Sequence, residues 1–128
     1  MTRDEYSGFS MEILDACIAV HREMGPGLLE SVYELCLMKE LELRKIKTEH
    51  QVPIPLVYKG FQLSKDFKID VLVENEIILE IKSSEAKHPV HEAQIISYLK
   101  LANKKLGFLI YFNVPLLKDG FHRFVNNF

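Results

Sequence analysis

The chain has 128 residues, 48% of them hydrophobic and 27% charged. That is enough for one core without disulfide or metal staples, in the range of an ordinary globular domain rather than a disordered or low-complexity chain. No apolar run reaches membrane-span length and the mixed-charge start MTRDEYSGF has no hydrophobic signal region, so membrane and secretory classes are set aside and a cytoplasmic protein is expected. The net charge of −2 does not mark a nucleic-acid binder, but it is unevenly spread: residues 1–58 hold six Lys/Arg against ten Asp/Glu, and residues 59–128 hold ten against eight.

In chain order, Ile13, Cys17, Val20 and Met24 recur at helical spacing behind Ser10, a suitable N-cap, and predict a helix over 10–24. GPG at 25–27 stops it, and a second helix is expected from Leu28 to about Lys45. From His50 to Tyr58 the pattern alternates, with Val52, Ile54, Leu56 and Tyr58 on one side. Pro53 and Pro55 on the other side suit a peripheral strand. Cys17 and Cys36 sit among apolar neighbours in the two helices and read as buried, reduced thiols.

Two strands follow. Phe67, Ile69, Val71 and Val73 share odd parity, as do Ile77, Leu79 and Ile81. After the loop SSEAKHP, residues 90–104 predict a helix with Pro89 in its first turn. The continuous apolar run LGFLIYFNV over 106–114 predicts a buried strand. The tail FHRFVNNF is expected to add a short strand or a helical turn. The order is helix, helix, three strands, helix, strand, in a single domain over 1–128.

If Glu74-Asn75-Glu76 forms a three-residue turn, the register places Asp70 directly opposite Glu80, and Lys68 opposite Lys82. A two-residue turn would push Asp70 in among the apolar side chains. Like charges facing one another destabilise a sheet, and on a solvated hairpin they would mean little. Here the strand is very apolar, Ile78 lies on the even face, and the buried strand at 106–114 implies a sheet covered on both sides. A divalent cation would turn the repulsion into coordination, since Mg²⁺ takes one or two carboxylates plus waters and substrate phosphates. Asp70 and Glu80 as ligands and Lys82 beside the nucleophilic water supply the parts of metal-assisted phosphodiester hydrolysis.

Asp70, nine intervening residues, then Glu80-Ile81-Lys82 resembles the signature of the PD-(D/E)XK nuclease superfamily. Its restriction-endonuclease-like core matches the α/β order above: a mixed central sheet with an antiparallel catalytic hairpin, flanked by helices. GPGLLESVYELCL, IDVLVENEIILEIKS, PVHEAQIISYLKL and FNVPLLKDGF together resemble the small GxxExxxxY family of that superfamily, over roughly residues 10–125. The resemblance implies a nuclease acting on DNA or RNA, with Mg²⁺ as cofactor and Mn²⁺ able to substitute. It also implies Glu30 as an additional metal ligand, and Gln94 and Tyr98, as Q-x-x-x-Y, near the active site. Two positions depart from the family pattern. Ile69 replaces the Pro before Asp70, and the tyrosine counted from Gly27 and Glu30 falls on Leu35, with Tyr33 nearby.

Other residues keep two readings. Gln94 interrupts an apolar stripe of Val90, Tyr98 and Leu101, so it bonds either to backbone or into the site. His88-x-x-His91 has zinc-like spacing without a second ligand pair, and reads as a helix-start pair or a phosphate contact. Ser83, Ser84 and Lys87 either cap the following helix or meet a substrate phosphate. Tyr111 and Phe112 read as core. So small a domain offers little surface to grip a duplex, and a homodimer or a protein partner is expected. The rival reading is a non-catalytic nucleic-acid-binding or protein-interaction module. The acidic pI of about 6.2 favours it; the intact Asp/Glu/Lys trio opposes it.

Overall fold

The computed structural model describes residues 1–85 and 87–128, with the side chains of Ser64, Lys65 and Asp66 left out. Ala86, inside the expected SSEAKHP loop, therefore lies outside the described residues. Two helices come first, α1 (Arg3–Met24) and α2 (Glu30–Leu43). Then follow β1 (Thr48–Tyr58), β2 (Phe61–Val73), β3 (Ile77–Lys82), α3 (Pro89–Ala102), β4 (Leu106–Tyr111), a 3₁₀ turn at Leu117–Gly120, and β5 (Phe121–Val125). The sheet runs β1-β2-β3-β4-β5. Among the described residues only β3 and β4 are parallel, joined by α3 as a crossover, and the other pairs are antiparallel.

The first helix starts seven residues before the expected Ser10. Thr2 and Glu5 close a capping box, and Ser10 instead donates its hydroxyl to the Tyr6 carbonyl. The GPG break is real: Gly25 and Gly27 have φ of +72° and +95°, the left-handed region that glycine enters without strain. Tyr33 locks this loop. Its hydroxyl donates to the Gly25 carbonyl and accepts from the Leu28 N–H, and its ring stacks on Phe112 at 4.4 Å. The tail FHRFVNNF takes the strand alternative as β5, with the 3₁₀ turn Leu117–Gly120 just before it. Cys17 is buried as expected, whereas Cys36 is only partly buried.

Apolar side chains cover both faces of the sheet. Val71, Val73, Ile77, Leu79, Ile81, Phe108 and Ile110 pack under α1 and α2. Ile54, Ile69, Leu72, Ile78, Leu109 and Tyr111 pack against Ile95, Tyr98 and Leu99 of α3. The expectation that all odd positions of β2 share one face fails at Asp70: Phe67 and Ile69 lie on the α3 side, Val71 and Val73 on the α1/α2 side. The pairing itself does not slip, since His50 faces Val71 and Val52 faces Ile69. Between those pairs Gln51 sits at φ +52°, and one left-handed residue turns the ribbon over. The reversal falls on the residue opposite Asp70.

Candidate active site

The β2–β3 turn is the expected one. Glu74 and Asn75 have positive φ, and Val73↔Ile77, Leu72↔Ile78 and Val71↔Leu79 are paired. Continued by one residue, that register puts Asp70 opposite Glu80, but there the backbone ladder stops and side chains replace it. The Asp70 N–H donates to Glu80 Oε2 at 2.9 Å, and the Ile81 N–H donates to Asp70 Oδ2 at 2.9 Å. Each carboxylate is thus wedged between the strands, held by a backbone N–H. The expected opposition of Lys68 and Lys82 does not occur, because the strands have parted: Lys68 faces Pro53 on β1, while Lys82 turns to α3.

Glu80 is 2% exposed, and its pKa rises to about 8. Burial is the main cause and the Asp70 charge the second, only partly offset by the Asp70 N–H and by Lys82. Asp70 rises to about 6, again chiefly by burial, against the Ile81 N–H. Burial and mutual repulsion therefore both push the pair toward sharing a proton. Lys82 Nζ donates to Gln94 Oε1 at 3.0 Å, and Gln94 Nε2 donates to the Tyr98 hydroxyl at 3.2 Å. Gln94 therefore bonds into the site rather than to backbone. The stripe it was expected to interrupt is placed differently, since Val90 and Leu101 are exposed while Ile95, Tyr98 and Leu99 are buried.

Glu30 opens α2 and accepts the Ser83 N–H at 3.2 Å, so it reaches the end of β3 rather than the carboxylate pair. Glu34, one turn further along α2, comes closer. It is 6% exposed, its Oε1 meets His50 Nε2 and the Gln51 amide at 2.8 Å each, and its charge raises both Asp70 and Glu80. Gln51 also stands 3.5 Å from Asp70 Oδ1. Sequence reasoning missed Glu34, although its i+4 relation to Glu30 on one helix face was there to be read.

The remaining candidates sit around α3. His88 is its N-cap, accepting from the Val90 N–H, and Pro89 takes the first turn as expected. His91 Nδ1 and the His88 N–H both meet the Tyr111 hydroxyl. Tyr111, read from sequence as plain core, thus fixes the start of α3 through its polar end. Lys87 pairs with Glu92 at 3.4 Å. Leu35 is exposed, and Tyr33 serves the GPG loop.

An antiparallel hairpin bearing two wedged carboxylates and a lysine, followed by a helical crossover to a parallel strand, defines a restriction-endonuclease-like α/β domain. The chain belongs to the PD-(D/E)XK nuclease superfamily, whose family model matches residues 7–124. A solved structure, "Crystal structure of SSO0001", shares the fold with a TM-score of 0.54 and 22% identity, over 74% of this chain and 48% of that one. The chain thus spans about half of that protein's length. No curated protein matches the sequence.

Nucleases of this superfamily typically use divalent metals, and the donor set here fits such an ion. Two hard carboxylates, Glu80 buried and Asp70 half-buried, are crowded together and hold protons more tightly than free carboxyls, a state a cation would relieve. Among the described residues no three His, Cys, Asp or Glu side chains converge as a protein-only cage. Mg²⁺, which keeps waters and substrate phosphates in its shell, needs none. No helix of the described residues is long and apolar enough to cross a membrane.

Proposed function

We propose that residues 1–128 form one metal-dependent nuclease domain of the GxxExxxxY type, hydrolysing phosphodiester bonds of DNA, with RNA as the alternative polymer. The observation that carries this reading is the crossed pair of hydrogen bonds between Asp70 and Glu80, with Lys82 held beside them by Gln94. Asp70 and Glu80 are the residues that would hold Mg²⁺ or Mn²⁺, and such an ion lowers the pKa of bound water and offsets charge on the phosphate. Lys82 donates hydrogen bonds to the attacking water or to a phosphate oxygen as charge develops there. Gln94 and Tyr98 fix where the ammonium points. Glu34 and Gln51 border the carboxylates from the other side, and Glu30 ties α2 to Ser83 at the end of the catalytic strand. Ser83, Lys87, His91 and Tyr98 are the proposed phosphate contacts. Burial lowers the His91 pKa, and the Lys82 charge lowers it further, which favours the uncharged imidazole.

The test is cleavage of single-stranded, duplex and branched DNA and of RNA in Mg²⁺ and Mn²⁺, with Asp70→Ala and Lys82→Ala beside the wild type. Loss of at least about a hundredfold in either variant is expected. Activity surviving in both would remove these residues from the mechanism. Metal-dependent protection of the fold with no cleavage of any polymer would favour the non-catalytic nucleic-acid-binding module.

A further inference from the structure

The two longest strands outrun the sheet that contains them. The eleven residues of β1 and the thirteen of β2 pair with each other as far as Tyr58↔Phe61, yet β3 covers only Val71–Val73 of β2. Ile54, Phe67 and Ile69 still pack on α3. Beyond the register shift between Ile54 and Leu56, the ribbon continues as a two-stranded arm. Its tip is a two-residue turn, Lys59-Gly60, with φ of +50° and +82°, the turn that suits strand twist.

Leu56 pairs with Leu63 and Tyr58 with Phe61, so by strand alternation these four side chains share one face. Tyr58, Phe61 and Leu63 are 59%, 70% and 48% exposed. A ribbon that needed only solubility would place polar residues there.

Three observations decide what this face meets. The edge of β1 carries Pro53 and Pro55, which withhold N–H donors and oppose strand addition by a partner or a second copy. The two rings together expose on the order of 250 Å², well below the roughly 800 Å² per partner that a stable protein interface needs. Finally, residues 52–63 carry no acidic side chain in a chain whose net charge is −2, and Lys59 Nζ stands 5.4 Å from the centre of the Tyr58 ring. A cation over one face of the ring leaves the opposite face for a nucleobase and holds a positive charge within reach of its phosphate.

We infer that the β1–β2 arm binds unpaired nucleotides of the substrate strand, with Tyr58 and Phe61 stacking on bases and Lys59 meeting the backbone. The inference rests on the nuclease reading for its class of partner. The arm is continuous with the strand that carries Asp70. Phe61 precedes Asp70 by nine residues, at most about 30 Å of extended chain. The tip therefore engages nucleotides up to about nine steps of 3.4 Å from the bond at Asp70, which makes the preferred substrate one with a single-stranded segment beside the cut.

The chain has five tyrosines and no tryptophan, so Phe61→Trp introduces a single tryptophan at the exposed tip, excited selectively on the red side of tyrosine absorption. Titrated with oligothymidylate in EDTA, where nothing is cut, its emission is expected to be quenched by stacking, and less so by a blunt duplex of equal length. Phe61→Leu and Tyr58→Ala are each expected to weaken single-strand binding roughly tenfold, with far-UV circular dichroism checking the fold. Wild-type affinity in both variants would overturn the proposal. So would equal quenching by single strand and duplex, which would mean backbone contact without stacking, or emission changes that follow protein concentration alone, which would mean a second copy. Cleavage by the wild type in Mg²⁺ is read separately, so an inactive protein with a quenched tip would sink the nuclease reading and leave the arm standing.

Discussion

Replacing Glu80 by Gln should make the metal-free protein more stable, and only at high pH. A carboxyl whose pKa is raised by folding binds its proton more tightly folded than unfolded. The stability this contributes is complete below the unfolded value and disappears as pH rises through the folded one. For Glu80 that interval runs from about 4.5 to about 8. Each tenfold in proton affinity is worth about 1.4 kcal/mol, so the interval carries on the order of 4–5 kcal/mol. Gln cannot ionise and keeps an oxygen for the Asp70 N–H. Its NH₂ group gains no obvious partner and returns roughly 1–2 kcal/mol. A net gain of about 2–3 kcal/mol at pH 8.5 follows, on the order of 10 °C in Tm for a domain of this size, with no gain at pH 5.

The assay is thermal unfolding of wild type and Glu80→Gln in EDTA at both pH values. Mg²⁺ should then raise the wild-type Tm at pH 8.5, because binding to the folded state alone stabilises it by mass action; the variant should gain much less. A variant no more stable than wild type at pH 8.5, or shifted equally at both pH values, would show that the pair is not held at a cost in its ionised form. The reasoning from burial and Asp70 repulsion would then be wrong.

Gln94→Ala frees the Lys82 ammonium from its acceptor at 3.0 Å; steady-state kinetics should show kcat falling roughly ten- to a hundredfold with KM nearly unchanged. Tyr33→Phe removes the hydroxyl that joins Gly25 and Leu28, and urea unfolding should show a loss of about 1–2 kcal/mol. Gly120→Ala would drive its Cβ into the Tyr111 carbonyl oxygen, a backbone collision that should cost about 1–3 kcal/mol and lower Tm measurably.

Parity and turn length made the hairpin readable in sequence. Odd-numbered apolar residues and the three-residue turn placed Asp70 and Glu80 together, and the structure keeps that pairing frame through Val71↔Leu79. The same parity misread Phe67 and Ile69, because a strand pattern carries no mark of a left-handed residue. Gln51, with a side chain in place of the usual glycine, gave no sign of its φ of +52°. Glu34 was missed for a related reason. A glutamate in a Leu- and Glu-rich helix looks like solvated surface, and only the reversal of β1 brings His50 and Gln51 over it.

The misread residue and the missed one belong to a single device. Had β1 and β2 kept their faces through residues 50–71, the ladder could have continued to Asp70 and Glu80, leaving both carboxylates as ordinary cross-strand neighbours. Turning the ribbon over at Gln51 ends that continuity. The Asp70 N–H is left to be satisfied by Glu80 and the Ile81 N–H by Asp70. Buried Glu80 and half-buried Asp70 are thereby fixed as acceptors of backbone hydrogen bonds, which opposes their escape to water. A left-handed non-glycine residue costs about 1–2 kcal/mol, and here the Gln51 side chain offsets part of that cost through its bond to buried Glu34. The strained residue, the broken ladder and the proton-sharing pair thus share one origin. Each makes sense as a structural cost only if something else, a cation under the proposed function, is later bound between the strands.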